Sequence, residues 1–220
     1  MRLLAHVLGL GLLATPAMAV DGVQAYQTDF DSPEIMEQIV LSNDSFREDG
    51  GQAYLQLGFV EGEKAGIWVQ VPEEIEYFKV DFFRVLMGSA GTLAGEGEVS
   101  PQIQQLFFQM GVAPLPGAGS PRDIENAAQI TPGPYWNDIP AEGFQNTLRC
   151  ARSGEYIGAA LEFTHSGAPS VYRDIDGQSN IKHNVLYAIP GGWAYSVQYG
   201  LRGDWILRIV GHEATEEECK

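Results

Sequence analysis

Asp174, Asp176 and Asn180 cluster around Gly177, and closely spaced oxygen donors on a glycine turn are what a hard cation such as calcium needs. The pattern is not an EF-hand, because Val185 stands where the bidentate Glu would be. Asp176-Gly177 also reads as a plain hairpin turn. Calcium on Asp174, Asp176 and Asn180 is the one cofactor the residues suggest. Tyr135-Trp136 lies in a stretch rich in proline and glycine, where flat rings outside a core can stack on sugars or peptides. These two are the candidate ligand-binding residues. Trp193, Tyr195 and Tyr199 share a strand face with Val197, and that spacing is expected of a sandwich core.

Catalytic patterns are thin. Beyond the leader the histidines are His165, His183 and His212, with neither an HExxH spacing nor a G-x-S-x-G elbow. Carboxylates such as Glu61 and Glu63 could act as a pair on a glycosidic bond, but spacing in sequence does not set their separation in space. Arg202-Gly203-Asp204 matches a cell-adhesion tripeptide, yet it runs straight into the apolar stretch from Trp205 and reads as a turn before a strand. Cys150 and Cys219 are the only cysteines, and an even count favours a disulfide in an oxidising compartment. The alternative is that the acidic tail 213–220, which carries Cys219, is mobile or serves a partner chain.

Residues 1–19 place Arg2 before an apolar run from Leu3 to Leu13, then Pro16 and Ala17-Met18-Ala19. This predicts a signal peptide cleaved before Val20, and the run is too short to span a bilayer. The expected location is secreted or periplasmic. With 13 Lys+Arg against 29 Asp+Glu, the net charge of −16 argues against nucleic-acid binding and against docking on anionic membranes. It suits neutral sugars, cations or basic partners.

Any such site must be held by the elements around it. Residues 20–50 form an N-terminal segment in which 32–41 could be helical, and 51–212 read as one domain. Leu55, Leu57 and Phe59 alternate with polar or small residues, as do Ile67, Val69 and Val71, and the short link between them predicts a hairpin. Phe78, Val80 and Phe82 share one parity while Phe83, Val85 and Met87 take the other, which predicts a β-bulge near Phe82-Phe83. Ile103–Met110 fits helix or strand, with strand preferred. Residues 113–140 read as a long surface excursion with at most one short element. Further strands are expected at Phe144–Arg149, Tyr156–Phe163, Ile181–Ile189, Trp193–Tyr199 and Trp205–Val210. The fold class is all-β, an antiparallel two-sheet β-sandwich, jelly-roll-like.

Ala168-Pro169-Ser170, Arg173-Asp174-Ile175-Asp176-Gly177, Asn184-Val185-Leu186-Tyr187 and Gly203-Asp204-Trp205-Ile206-Leu207-Arg208 resemble the closing strands of uncharacterised exported bacterial β-sandwich proteins. Their arrangement is similar to the galactose-binding-like jelly roll. The resemblance implies fold and compartment but no activity. The functional expectation is a non-catalytic exported protein that binds a carbohydrate or a cell-surface protein through loops at one end of the sandwich. A glycoside-acting hydrolase and a structural envelope component are the alternatives.

Overall fold

The computed structural model describes residues 38–46, 52–88, 102–106, 124–129, 135–141, 149–167, 170–175 and 182–220. Its larger sheet is organised around one twelve-residue strand, β4 (Tyr77–Gly88). β14 (Leu207–Glu213) pairs along one side of β4, and β1 (Ile39–Leu41) pairs with β14 beyond it. β7 (Tyr135–Pro140), β8 (Cys150–Arg152) and β10 (Ser170–Asp174) also pair with β4, and β2 (Ala53–Leu55) and β13 (Asp204–Trp205) pair with β10. The smaller sheet runs in the order β12 (Gly192–Tyr195), β11 (Asn184–Ala188), β3 (Lys64–Gln70), β9 (Tyr156–Glu162). β5 (Gln102–Leu106) and β6 (Ile124–Gln129) form a separate two-stranded sheet. All of these pairings are antiparallel. The protein is therefore an all-β, two-sheet sandwich.

The period-two pattern explains the core. Ala65, Ile67 and Val69 from β3 and Ile157, Ala159 and Leu161 from β9 face Phe83, Val85, Met87, Leu207 and Ile209 from the larger sheet. Phe59 stacks on Phe163 at 4.1 Å and leans on Trp205 at 5.8 Å. Strand β4 breaks its own alternation to stay in this core. Val210 lies opposite Phe82 and Gly211 opposite Val80, so Asp81 is the extra residue of a bulge. The inserted residue lets Phe78 and Val80 share the core face with Phe83, Val85 and Met87. The bulge falls one residue before the expected Phe82-Phe83. Gly211 is required beside it, because a Cβ there would overlap the Lys79 carbonyl oxygen.

Several expectations are corrected. The hairpin linking the Leu55 and Ile67 runs does not form: Gly58 adopts φ +101°, which ends the extended run and lets the chain cross from one sheet to the other. β2 then pairs with β10, and β3 lies between β11 and β9. The excursion 113–140 holds two strands, β6 and β7, rather than at most one. Arg149 is helical, and 144–148 of the expected Phe144–Arg149 strand lie outside the described residues. β12 ends at Tyr195, and a 3-10 turn follows over Ser196–Tyr199. Trp193 and Tyr195 are half-buried outside the core, and Tyr199 is 47% exposed. Trp193 instead meets Tyr187 edge-on at 5.4 Å on the outer face of the smaller sheet. Ile39–Leu41, within the stretch that could be helical, is a strand paired with β14. Residues 102–106 are extended, as preferred.

The tail is tied down. Cys150 and Cys219 form a disulfide, Ala214 is buried, and Lys79 Nζ donates to the Glu218 carbonyl. With a sequence separation of 69, the chain-entropy estimate gives the bridge about 4 kcal/mol. Reduction, or the double change Cys150→Ser and Cys219→Ser, is expected to lower unfolding stability by about that amount in urea titrations. An unchanged midpoint would contradict the account. Gly211→Ala is expected to cost about 2 kcal/mol in the same titration, because the bulge cannot widen without moving Lys79.

Candidate functional site

The outer face of the larger sheet carries the charge that the core excludes. Arg84 on β4 lies opposite Asp138 of β7 on one side and Arg208 of β14 on the other. Two facing guanidinium groups repel, and each takes its own carboxylate. Arg84, 3% exposed, donates through Nε to Asp138 Oδ1 at 2.6 Å and through Nη2 to Asp138 Oδ2 at 2.7 Å. Arg208 donates from Nε to both oxygens of Asp44 at 3.2 Å and from Nη2 to the Phe46 carbonyl at 2.9 Å. Its guanidinium also lies 4.9 Å from the centre of the Trp136 ring.

The residues expected to bind ligand or metal are therefore placed differently. Tyr135 and Trp136 belong to strand β7 rather than a loop. Prolines before and at the end of β7 fit a strand that, among the described residues, pairs only with β4. Trp136 is half-buried against the cluster of Phe46, Ala53, Leu86, Tyr172 and Ile206, and the side chain of Tyr135 lies outside the described residues. Asp174 is fully buried at the end of β10, paired with Ala53 and Asp204. One of its oxygens accepts from the Ser45 amide at 3.0 Å and the Ser45 hydroxyl at 3.1 Å. Asp174 is the last residue of β10, and its side chain reaches the 43–45 segment. Asp176 and Asn180 lie outside the described residues. Among the described residues no three His, Cys, Asp or Glu side chains come together to hold a metal.

Other sequence candidates are also accounted for. Glu63 accepts from the Val60 amide at 3.0 Å and the Ile189 amide at 3.3 Å, so it holds two loops, while Glu61 is exposed. Asp204, of Arg202-Gly203-Asp204, is 2% exposed and accepts from Asn184, so the tripeptide is not presented to a partner.

A cleft the sequence did not flag opens beside the bulge. It measures about 480 Å³ and is lined by Gln38, Asp81, Phe82, Asp138, Pro140 and Arg149. The inserted residue Asp81 belongs to this wall, and the ring of Phe82, which the bulge takes out of the core, forms an apolar surface within it. His212 Nδ1 lies 2.8 Å from Asp81 Oδ2. Arg149 donates through Nη1 to the Ala141 carbonyl at 3.3 Å, while its buried Nε has no hydrogen-bond partner among the described residues. Asp138 reaches the cleft while both of its oxygens are fixed by Arg84, and it remains 42% exposed. The arrangement offers carboxylate acceptors, guanidinium and amide donors, and a flat ring. That combination can bind a neutral polyhydroxylated ring. The parity break in β4 was the only sequence signal that pointed here. No family model, no curated protein and no solved structure matches this chain.

Behind the cleft wall, burial holds the Asp44 carboxyl above its usual value of 3.8, outweighing the hydrogen bond and charge of Arg208, and nearby Asp174 adds to the rise. An acid whose folded value exceeds its unfolded one binds its proton more readily when folded, so folding gains as pH falls through the folded value and loses on ionisation above it. Asp44→Ala is expected to be destabilising by roughly 3 kcal/mol near neutrality, since it removes both oxygens that accept from Arg208. The gap between wild type and variant should widen as pH falls from about 7 to about 4 in urea unfolding. A gap that closes would show that Asp44 is held ionised.

Proposed function

We propose that the protein is an exported, non-catalytic carbohydrate-binding protein that uses the cleft beside Asp81. The observation that carries this is the lining of one cleft by Phe82, Asp81, Asp138, Gln38 and Arg149. Sugars combine apolar C–H faces with hydroxyl edges, so a ring flanked by carboxylates and donors matches both. The net charge of −16 favours neutral sugars over phosphorylated or carboxylated ones. Export is supported by the Cys150–Cys219 disulfide and by the predicted leader, and among the described residues no helix is long and apolar enough to cross a membrane. The likeness to galactose-binding-like jelly rolls is part of this proposal. The site is on a sheet face beside a bulge instead of at the loop ends.

One observation favours a second reading, that of a glycoside hydrolase: Asp81 and Asp138 line one cleft and His212 contacts Asp81. The bidentate hold of Arg84 on Asp138 favours binding, because it commits that carboxylate to a fixed acceptor role.

An array of neutral glycans probed with the labelled protein tests the choice. Saturable binding is expected, weakened roughly tenfold by Phe82→Ala and by Asp81→Asn, as for the loss of one stacking or charged hydrogen-bond contact. Binding indifferent to both changes, or none at all, would remove the cleft as the site. Release of reducing ends from a bound glycan, abolished by Asp81→Asn, would replace the binding reading with the hydrolase.

A further inference from the structure

A second cavity opens between the sheets where residues 56–63 cross from one to the other. It measures about 300 Å³. Phe59, Leu186, Ala188 and Leu201 form its apolar walls, and Gln56, Glu63 and Tyr199 supply its polar groups. Phe59, Leu186 and Ala188 belong to the main core, so the cavity is an inlet into the sandwich interior.

Two further observations separate this inlet from ordinary surface relief. The mouth collects two of the exposed large apolar residues of the described chain: Ile189 at 52% and Tyr199 at 47%. Large apolar groups left in water around an apolar recess are the usual mark of a site that something else covers. The lips are also fixed in place. The Glu63 carboxylate accepts the amide of Ile189 at the rim and that of Val60 behind it in the chain, and the Tyr199 hydroxyl rests against Gly191, where a Cβ would overlap it. A rim held this way loses little freedom when it closes on a ligand.

Electrostatics narrows the occupant. Among the described residues lining the cavity there is no Lys, Arg or His, and Glu63 contributes a negative charge. A carboxylate or phosphate would enter without a counter-charge and against the field of the whole chain. A donor head group, in contrast, meets the free lone pairs of Glu63, the Tyr199 oxygen and the Gln56 side chain.

We infer that this inlet is a second ligand site, for a compact and mainly apolar alcohol or amine whose body fills the space between Phe59, Leu186, Ala188 and Leu201 and whose donor faces Glu63. It is independent of the cleft on the outer sheet face.

Benzyl alcohol, benzylamine and benzoate are of a size to fill the inlet and test its charge preference. Titrated into methyl-labelled protein, the alcohol and the amine are expected to shift the signals of Leu186, Ala188, Ile189 and Leu201 saturably, with dissociation constants on the order of 1 mM for molecules this small. Benzoate should bind at least about tenfold more weakly for want of a counter-charge. Ala188→Leu fills the inlet and should abolish the saturable shifts. Tyr199→Ala, at an exposed position that does not endanger folding, should weaken the amine roughly fivefold by opening the rim. The inference is overturned if neither the alcohol nor the amine saturates, if benzoate binds as tightly as they do, or if Tyr199→Ala leaves the titrations unchanged.

Discussion

Strand β4 must feed the core from one face and hold charge on the other, and over twelve residues it does both only by inserting Asp81. Without the insertion, strict alternation would turn either Phe78 and Val80 or Phe83, Val85 and Met87 to the outer face, exposing large apolar side chains worth about 2 kcal/mol each in the core. The bulge avoids that cost and has a consequence on the opposite side. It turns Asp81 and Phe82 into adjacent wall residues of a cleft, and Gly211 across the ladder is the residue small enough to permit it. Core packing and the proposed site are thus two results of one backbone irregularity.

Charge on the outer face follows from the same strand. Arg84 and Arg208 face each other in register, and each is matched by a carboxylate, Asp44 fully buried and Asp138 half open to water. Buried ion pairs add little net stability compared with apolar packing, but losing one partner costs several kcal/mol. Such pairs therefore act chiefly as position locks. Asp44 fixes the 43–46 segment over the sheet, and Arg84 fixes Asp138 at the cleft. Arg208 meanwhile holds Trp136 against the second apolar cluster, leaving its ring half-buried.

What was legible in the sequence is what depends on neighbours along the chain. β3 and β9 were visible because one face of each is apolar at every second residue, and the bulge was visible because parity changed within one strand. The Cys150–Cys219 pair was one of two readings that the even cysteine count left open, and the structure has it formed. β7 was hidden, because Asn137, Asp138 and Pro140 are loop-like residues whose strand character comes from β4, 54 positions away at the Arg84–Asp138 contact. The burial of Asp174 was hidden for a similar reason: Ser45, one of its partners, lies 129 positions distant. Burial of a carboxylate depends on long-range pairing that local spacing does not encode. The cleft and the inlet were unreadable because their residues come from segments that meet only in the folded sheets.

The disulfide links stability to the geometry of the cleft. Cys150 opens β8, directly after Arg149, and pairs in register with Lys79, two residues before the bulge. Cys219 closes the tail that continues from β14, the strand that carries His212. The covalent bond therefore adds a second link to the sheet, in which Lys79 of β4 already pairs with both His212 and Cys150: Arg149 lies beside one end of it and His212 on the strand that leads to the other. Among the described residues the buried Nε of Arg149 has no hydrogen-bond partner, so the position of this side chain rests on its backbone and on Nη1. A bridge one residue away holds that backbone more firmly than the 3.3 Å bond to the Ala141 carbonyl. On this account the disulfide supports the shape of the cleft as well as the stability of the fold.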